Sequence, residues 1–319
     1  MNSRSDAPVG PGAPSAAAGP DAMAFHSGSC CKCGGTDGLI CISEFGKALC
    51  PRCYPEFVRR RMEATVRRFR MIPKGCRVAV AISGGGDSGA LLDMLARTRG
   101  RLNYTLTAVH LNMGLGPYSD DCLEVCREQA RKCTVSLELE RAKDYGVTVS
   151  PVGQWRTCAV CGAVRRALLP RVAQRIRADV ICVGHTLDDQ LMFMLKNVLS
   201  GHPESPAPLL PARPGYPAKA KPLIQIPEQA TKRYAELVGL PVMREPCPHF
   251  RDEAHRLKEV FDHLERLAPM GKLQFFHTMR TVMRPERDDT ATEGPCEVCG
   301  AQTRMRVCPI CRLKEAQQQ

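Results

Sequence analysis

The stretch Val78–Ser88, VAVAISGGGDS, most constrains what this chain can fold into. Val78, Ala79, Val80, Ala81 and Ile82 make an apolar run of the length expected for a buried strand, and it runs straight into three glycines. Behind the glycines, Ala90, Leu91, Leu92, Met94 and Leu95 recur at helical spacing. The order is strand, tight loop, helix start. Successive glycines let backbone N–H groups converge without Cβ obstruction, and a helix N-terminus adds positive dipole. Such a nest suits a phosphate or pyrophosphate. No G-x-x-x-x-G-K-S/T pattern is present, which excludes a Walker-type loop. An ordinary glycine-rich strand–helix turn could use the same residues, so the rest of the chain must decide.

That rest alternates. Residues 104–111 read as a second strand, 119–132 as a helix, 134–139 as a third strand, 168–176 as a helix and 180–183 as a fourth strand. The expected fold is α/β, a doubly wound parallel sheet. Ligands of such sheets lie at the carboxyl ends of the strands, near the topological switch point. Those ends are SGGGDS, His110–Gly116 and Gly184–Asp189. Asp188 and Asp189, adjacent carboxylates beside phosphates, suit Mg2+ or the polarising of an attacking group. The same pair is also a good helix N-terminus. His110 sits at a strand end, where it lines a base pocket or packs in the core.

Eighteen cysteines in a chain without a basic-then-apolar leader pattern point to metal in a reducing cytoplasm rather than to disulfides. Cys30-x2-Cys33-x16-Cys50-x2-Cys53 has zinc-ribbon spacing, with Cys31 and Cys41 as spare thiols. Cys296-x2-Cys299-x8-Cys308-x2-Cys311 is a compact four-thiolate knuckle. Two structural Zn2+ ions are expected. Cys158 and Cys161 need a third ligand, for which Cys247, in Arg244-Glu245-Pro246-Cys247-Pro248-His249, is the candidate. Three cysteines suit an iron–sulfur cluster with one iron open; a dithiol carrying persulfide, or a zinc site completed by His249, fits the same residues.

The net charge of +12 calls for a polyanionic partner, and nucleic acid is the obvious one. A helix over 54–72 carries Arg59, Arg60, Arg61, Arg67, Arg68 and Arg70 opposite its apolar set, an RNA-backbone contact or a solvated face. No apolar run is long enough to span a membrane. Residues 1–24 read as a disordered tail, 25–56 as a zinc ribbon, 57–200 as the nucleotide domain, 201–285 as a helical substrate-side lobe completing it, and 290–315 as the zinc knuckle. Within this division the Pro-rich 200–222 segment reads as a loop over the crevice, and 284–294 as a charged linker.

Taken in order, CxxC…CxxC, SGGxDS, CxxC, GHxxDD, K-P-L then I-P-E, E-x-C-P and CxxC…CxxC resemble the PP-loop tRNA 2-thiolation enzymes of the TtcA/TtuA type, in the branch with zinc modules at both ends. The resemblance runs from about Cys30 to Leu313. It implies an ATP-dependent sulfurtransferase that adenylates the C2 oxygen of a tRNA pyrimidine, with uridine expected, after which sulfur displaces AMP. It implies ATP contacts from Ala81, Ser83, Gly84, Gly85, Gly86, Asp87, Ser88, His110, Gly184, Asp188 and Asp189, with Mg2+. Asp188 leads the candidates for acid–base or metal work. A 4Fe-4S cluster is implied on Cys158, Cys161 and Cys247, which share the catalytic role. Implied partners are tRNA and a ubiquitin-like carrier with a C-terminal thiocarboxylate; a homodimer is left open. The chain departs from the family at Gly86 and Arg165, where lysine is usual, at Thr186 for asparagine, and at Gln190 for an acidic residue. Arg165 or Lys221 could take over phosphate neutralisation. Two rivals stand beside this reading: a lysidine-type ligase, which leaves the three cysteines unexplained, and a non-catalytic RNA-binding zinc protein with a degenerate PP-loop.

Overall fold

The computed structural model describes residues 28–202, 204–250, 253–285 and 294–318. The expected tail, the first residues of the ribbon and most of the 284–294 linker lie outside them. The chain opens on an antiparallel hairpin of β1 (Ile40–Ile42) and β2 (Lys47–Leu49), then α1 (Tyr54–Arg68). Next come β3 (Arg77–Ile82), α2 (Gly86–Leu102), β4 (Thr105–Asn112), α3 (Pro117–Lys132) and β5 (Ser136–Arg141). They are followed by α4 (Thr157–Arg175), β6 (Val180–Cys182) and α5 (Leu187–Leu199). Three short strands follow, β7 (Glu204–Ser205), β8 (Leu209–Leu210) and β9 (Ala218–Ala220), and then α6 (Glu228–Leu237), α7 (Glu253–Leu267) and α8 (Gly271–Val282). β10 (Arg284–Pro285) pairs in parallel with β7; β11 (Gly294–Pro295), β12 (Gln302–Thr303) and α9 (Pro309–Gln318) close the chain.

The central sheet runs β5-β4-β3-β6-β9-β8, parallel except for the edge strand β8. The strand order reverses between β3 and β6, which puts the switch point at the glycine loop. Strand β3 shows why both faces are covered. Val78, Val80 and Ile82 enter the large core beneath α2, whereas Ala79 and Ala81 enter a smaller one with Val172 and Ala173 of α4. Alanines on that face let α4 lie close to the sheet.

Two elements differ from expectation. Residues 200–222 contribute β8 and β9 to the sheet rather than forming only a loop; strands this short, spaced among Pro208, Pro211, Pro214, Pro217 and Pro222, carry no readable alternation. Helix α4 begins at Thr157, well before the expected 168–176 segment, so Cys158 and Cys161 lie near its N-terminus. The arginine face of α1 is partly consumed internally. Arg59 pairs with Glu56 and Glu63, Arg60 with Glu56 at 2.6 Å, and the Arg61 guanidinium lies 4.3 Å from the Phe45 ring centroid.

One large core joins the N-terminal module, the sheet and α6–α8; Tyr54, Leu91, Tyr234 and Phe276 all belong to it. The C-terminal module packs instead on α4 through Ile310 and Leu313, against Val160, Val164 and Leu168. Inside the large core sits Lys272, 2% exposed. Its Nζ lies 2.7 Å from Asp188 Oδ1, 2.5 Å from Asp262 Oδ1 and 3.6 Å from Glu44 Oε1. Removing one member of a buried charge network leaves the others uncompensated, at about 3–5 kcal/mol. Lys272→Ala is expected to destabilise the fold by about that amount, read as a lowered urea midpoint at unchanged slope.

Candidate active site at the carboxyl ends of the sheet

The loop after β3 is built for close approach. Gly84 has φ +84°, and a Cβ there would stand 3.3 Å from the Cys122 carbonyl oxygen. Gly184, at the end of β6, passes so near the loop that a Cβ would lie 3.1 Å from both Ser88 N and Ser88 Cα. Ser88 Oγ accepts from Ser83 N (3.2 Å) and donates to the Gly85 carbonyl (3.2 Å), closing the loop on itself. Helix α2 starts at Gly86, so its first N–H groups, which have no intrahelical acceptor, face the loop.

Around this loop lies a crevice of about 670 Å3, within the usual range for small-molecule sites. Ala81, Ser83, Gly85, Asp87, Ser88 and Gly184 line it, with Arg165, Lys219 and Lys221 as cations. Gly84 and Gly86 complete the loop without lining the crevice. A smaller cavity of about 260 Å3 adjoins it at Ser83, Gly85 and Arg165 and runs to Cys122, Met243 and Glu245. His110 lines this smaller cavity. Its Nδ1 lies 3.1 Å from the Ile82 carbonyl oxygen, and its buried Nε2 has no partner in the structure. Burial holds its pKa below the usual histidine value, so it is neutral, with Nε2 as acceptor if Nδ1 donates to Ile82.

Asp188 and Asp189 line neither cavity. Asp188, 5% exposed, gives one oxygen to Lys272 and accepts from Glu228 N (2.6 Å) with the other, capping α6. Asp189 closes a capping box with Thr186: Thr186 N donates to Asp189 Oδ2 (2.9 Å), and Asp189 N donates to Thr186 Oγ1 (3.4 Å). Its other oxygen lies 2.7 Å from Lys258 Nζ, which also reaches Glu228 (2.6 Å). Cys158, Cys161 and Cys247 line neither cavity, but the segment carrying Cys247 is tied to the loop and to α4. Met243 N donates to the Gly84 carbonyl (2.9 Å), fixing the strand before Cys247 on the glycine loop. Cys158 Sγ donates to the His249 carbonyl (3.0 Å), fixing the strand after Cys247 on the start of α4. Cys158 is exposed and Cys161 and Cys247 are half-buried.

Eight further cysteines form two four-thiol groups, Cys30/Cys33/Cys50/Cys53 and Cys296/Cys299/Cys308/Cys311, each with all sulfurs within 4.8 Å. Cys31 and Cys41 belong to neither. Tetrahedral Zn–S bonds of about 2.3 Å put sulfurs about 3.8 Å apart; Cys33–Cys50 is 3.6 Å and Cys299–Cys308 is 3.7 Å. Backbone N–H groups, that of Cys50 foremost, pull the Cys30 thiol down to about 6. Burial pushes Cys296 up, but the N–H groups of Cys308, Cys299 and Val298 outweigh it and bring it to about 6. Arg171 Nη2 lies 3.3 Å from Cys308 Sγ, a cation beside the four-thiol group.

A model of the PP-loop domain matches residues 56–237. The tRNA-5-methyluridine(54) 2-sulfurtransferase of Thermus thermophilus is 33% identical over 296 residues, covering 90% of this chain and 91% of that one. The chain belongs to the PP-loop family of tRNA 2-thiolation enzymes. The tRNA 2-thiolation protein NcsA of Haloferax volcanii is 29% identical, covering 90% and 98%. The U34-tRNA thiolase NcsA of Methanococcus maripaludis, solved with its 4Fe-4S cluster, shares the fold at a TM-score of 0.76 and 24% identity, over 92% of this chain and 96% of that one.

Within this PP-loop family frame, the departures acquire local reasons. Thr186 caps as an asparagine could. At Gly86, a Cβ would lie 4.0 Å from Cγ of Lys232, whose stem lies beside the loop and whose Nζ pairs with Glu228 at 2.7 Å. Lys232, Lys258, Thr231 and Lys272 were not readable as site residues, because helical periodicity on α6–α8 says nothing about which loop they meet.

Asp87 carries the sharpest electrostatic signature. Burial pushes its carboxyl up to about 7, against the Thr231 hydroxyl that donates to it; the negative charges of Glu228 and Asp189 add to the rise. Thr231 has a single hydroxyl proton for two acceptors, Asp87 and the Glu228 carbonyl oxygen at 2.8 Å, and a protonated Asp87 relieves that competition. Glu228 is the counterpart: burial pushes it up, but Lys232 and Lys258 hold it near 2. A carboxyl whose folded pKa lies above its unfolded value of about 3.9 stabilises the fold most at low pH. That contribution is lost as pH rises from about 4 to about 7, and then levels. Urea denaturation at a series of pH values is expected to show Asp87→Asn gaining stability relative to the parent chain across that window, with no further gain above it.

Proposed function

We propose that this chain is an ATP-dependent tRNA 2-thiolation sulfurtransferase acting on a uridine. The observation that supports the reading is the bracketing of Cys247: the segment around it is tied at Met243 to Gly84 of the glycine loop and at His249 to the Cys158 thiol. The N–H groups of the loop and the start of α2 would hold the pyrophosphate that leaves ATP, with Arg165, Lys219 and Lys221 offsetting its charge. The uridine C2 oxygen attacks the α-phosphorus, pyrophosphate departs, and sulfide then displaces AMP from C2. Mg2+ would enter with the nucleotide, and Asp87 and Glu204 are the carboxyls that line the crevice. The partners of Asp188 support a positioning role: it holds α6, and with it Thr231 and Lys232, against the loop.

Cys158, Cys161 and Cys247 would hold a 4Fe-4S cluster. The donor set fits: two thiols three residues apart on one face of a helix near its N-terminus, where the helix dipole favours an anion, and a third two residues before the carbonyl to which Cys158 donates. When bound, such a cluster supplies an iron position open to external sulfide. Exposed Cys158 marks the side from which a ubiquitin-like thiocarboxylate carrier would deliver it. Zn2+ would occupy each four-thiol group.

Protein purified without oxygen is expected to be brown, with visible absorption that bleaches in air, and to contain about two zinc ions per chain, one for each four-thiolate group. Replacing Cys158, Cys161 or Cys247 singly by Ala should abolish both the colour and 2-thiouridine formation, read by nucleoside mass spectrometry, while ATP binding persists. His249→Ala should keep the colour. A colourless, zinc-filled site that needs His249 would overturn the reading.

A further inference from the structure

A second concavity, larger than the nucleotide crevice at about 930 Å3, lies between α4, the C-terminal module and two turns, and nothing derived above uses it. Its lining is chemically one-sided. Arg166, Arg171, Arg213, Arg304 and Arg312 face it, and among the described residues no Asp or Glu does. It also carries Trp155, which is 44% exposed. A half-exposed indole offers a planar face on which another ring can stack.

The presentation of that ring is built in. Val152 and Trp155 exchange backbone hydrogen bonds, both 2.9 Å, across a turn in which Gly153 takes φ +53°. Arg213 and Tyr216 repeat the pattern at 3.0 and 2.8 Å, with Gly215 at φ +78°. The second turn is seated on the C-terminal module, because Tyr216 Oη donates to the Gln302 carbonyl (2.9 Å). Each turn thus ends in an aromatic residue at the rim of an arginine-lined groove. Guanidinium groups bind phosphates in a fixed fork and stack on bases; aromatic rings stack bases of any sequence.

The groove is also positioned to serve the crevice. Gly162, Arg165, Arg166 and Leu169 of α4 line the crevice, while Ala163, Arg166, Ala167 and Arg171 line the groove. Arg166 belongs to both, so the two concavities meet across one helix whose N-terminal end holds Cys158 and Cys161.

Building on the thiolation reading, we infer that this groove receives an unpaired stretch of the substrate tRNA, with one base stacked on Trp155 and the neighbouring phosphates on Arg166 and Arg312. A polyanion lacking bases would satisfy the arginines and leave Trp155 uncovered. An acidic protein would satisfy the charge without a ring to stack.

Trp155 is the chain's only tryptophan, so its emission reports the groove directly. The full-length, zinc-loaded protein would be titrated with an unmodified tRNA transcript, with heparin and with an acidic ubiquitin-like protein, binding being followed separately by gel retardation. Quenching that saturates with tRNA, and displacement of tRNA by heparin without quenching, are the expected results. Trp155→Ala should weaken tRNA binding on the order of ten-fold, with Trp155→Tyr recovering most of the loss. Arg312→Glu, with zinc content unchanged, should reduce the slope of log affinity against log salt by about one. If tRNA binds but the emission does not move and Trp155→Ala binds as the parent chain does, the inference fails while the thiolation reading stands. Equal quenching by heparin, or quenching by the acidic protein alone, also overturns it. A chain that neither binds nor thiolates tRNA fails the thiolation reading itself.

Discussion

The structure hangs on a buried lysine. Lys272 of α8 reaches Asp262 of the neighbouring α7, Asp188 of α5 and Glu44 of the N-terminal module, so three regions far apart in sequence share one ammonium group. Burying that charge is expensive, and its partners offset the cost only while all are in place. Its raised pKa reflects the same balance: burial pushes it down and the carboxylates, Asp188 first, more than restore it. From Lys272 the contacts run without a gap to the glycine loop. Asp188 caps α6 at Glu228; α6 carries Thr231 onto Asp87, Lys232 beside Gly86, and Tyr234 onto Asp93 of α2 at 2.5 Å. A change at Lys272 therefore reaches the nucleotide loop through helix position rather than through any contact with ligand.

What could be read from the sequence was what is local. A five-residue apolar run ending in glycines already contains its strand, its turn and the reason for the turn, and Val78–Ser88 folded as the pattern required. The four-thiol groups were legible because two C-x-x-C turns fix sulfur positions with little help from the rest of the chain. Strand β9 was not legible, since three residues between prolines carry no alternation and are ordered by β6 and β8 on either side. The role of Asp188 was not legible either. The same aspartate pair reads as metal ligand or helix cap until the partners are known, and these come from residues 228 and 272. The arginine face of α1 was open in the same way: charge count cannot tell an arginine turned to solvent from one committed to Glu56 or Glu63.

Gly86 is instructive about how charge is placed in this site. A lysine on the loop itself would carry its ammonium into the crevice on a flexible stem. Here the loop position has no side chain, and the cations come from fixed secondary structure: Arg165 from α4, Lys219 from β9 and Lys221 just beyond it. Strand alternation sends Lys219 and Lys221 to the same side, and both line the crevice. Cations held by sheet and helix lose less conformational freedom on meeting a phosphate than one on a mobile loop. The short strand that the prolines concealed is thus one of the devices that charge the site.

Helix α4 performs the complementary task on the sulfur side. It starts with the cysteine pair, turns Arg165 and Arg166 toward the crevice, and places Arg171 against the sulfurs of Cys299 and Cys308. At about 1.5 Å of rise per residue, Cys161 and Arg171 are separated by about 15 Å along the axis. Sheet packing through Val172 and Ala173, and module packing through Val164 and Leu168, keep that spacing from changing independently at either end. A rigid strut of this kind gives the C-terminal module a function that a tethered zinc knuckle could not have. Whatever the module and its groove hold is set at a fixed distance from the cysteines and from the glycine loop. On the groove inference, substrates would be selected by whether their reactive atom falls at that distance, and binding energy gained in the groove would go into position at the reaction centre.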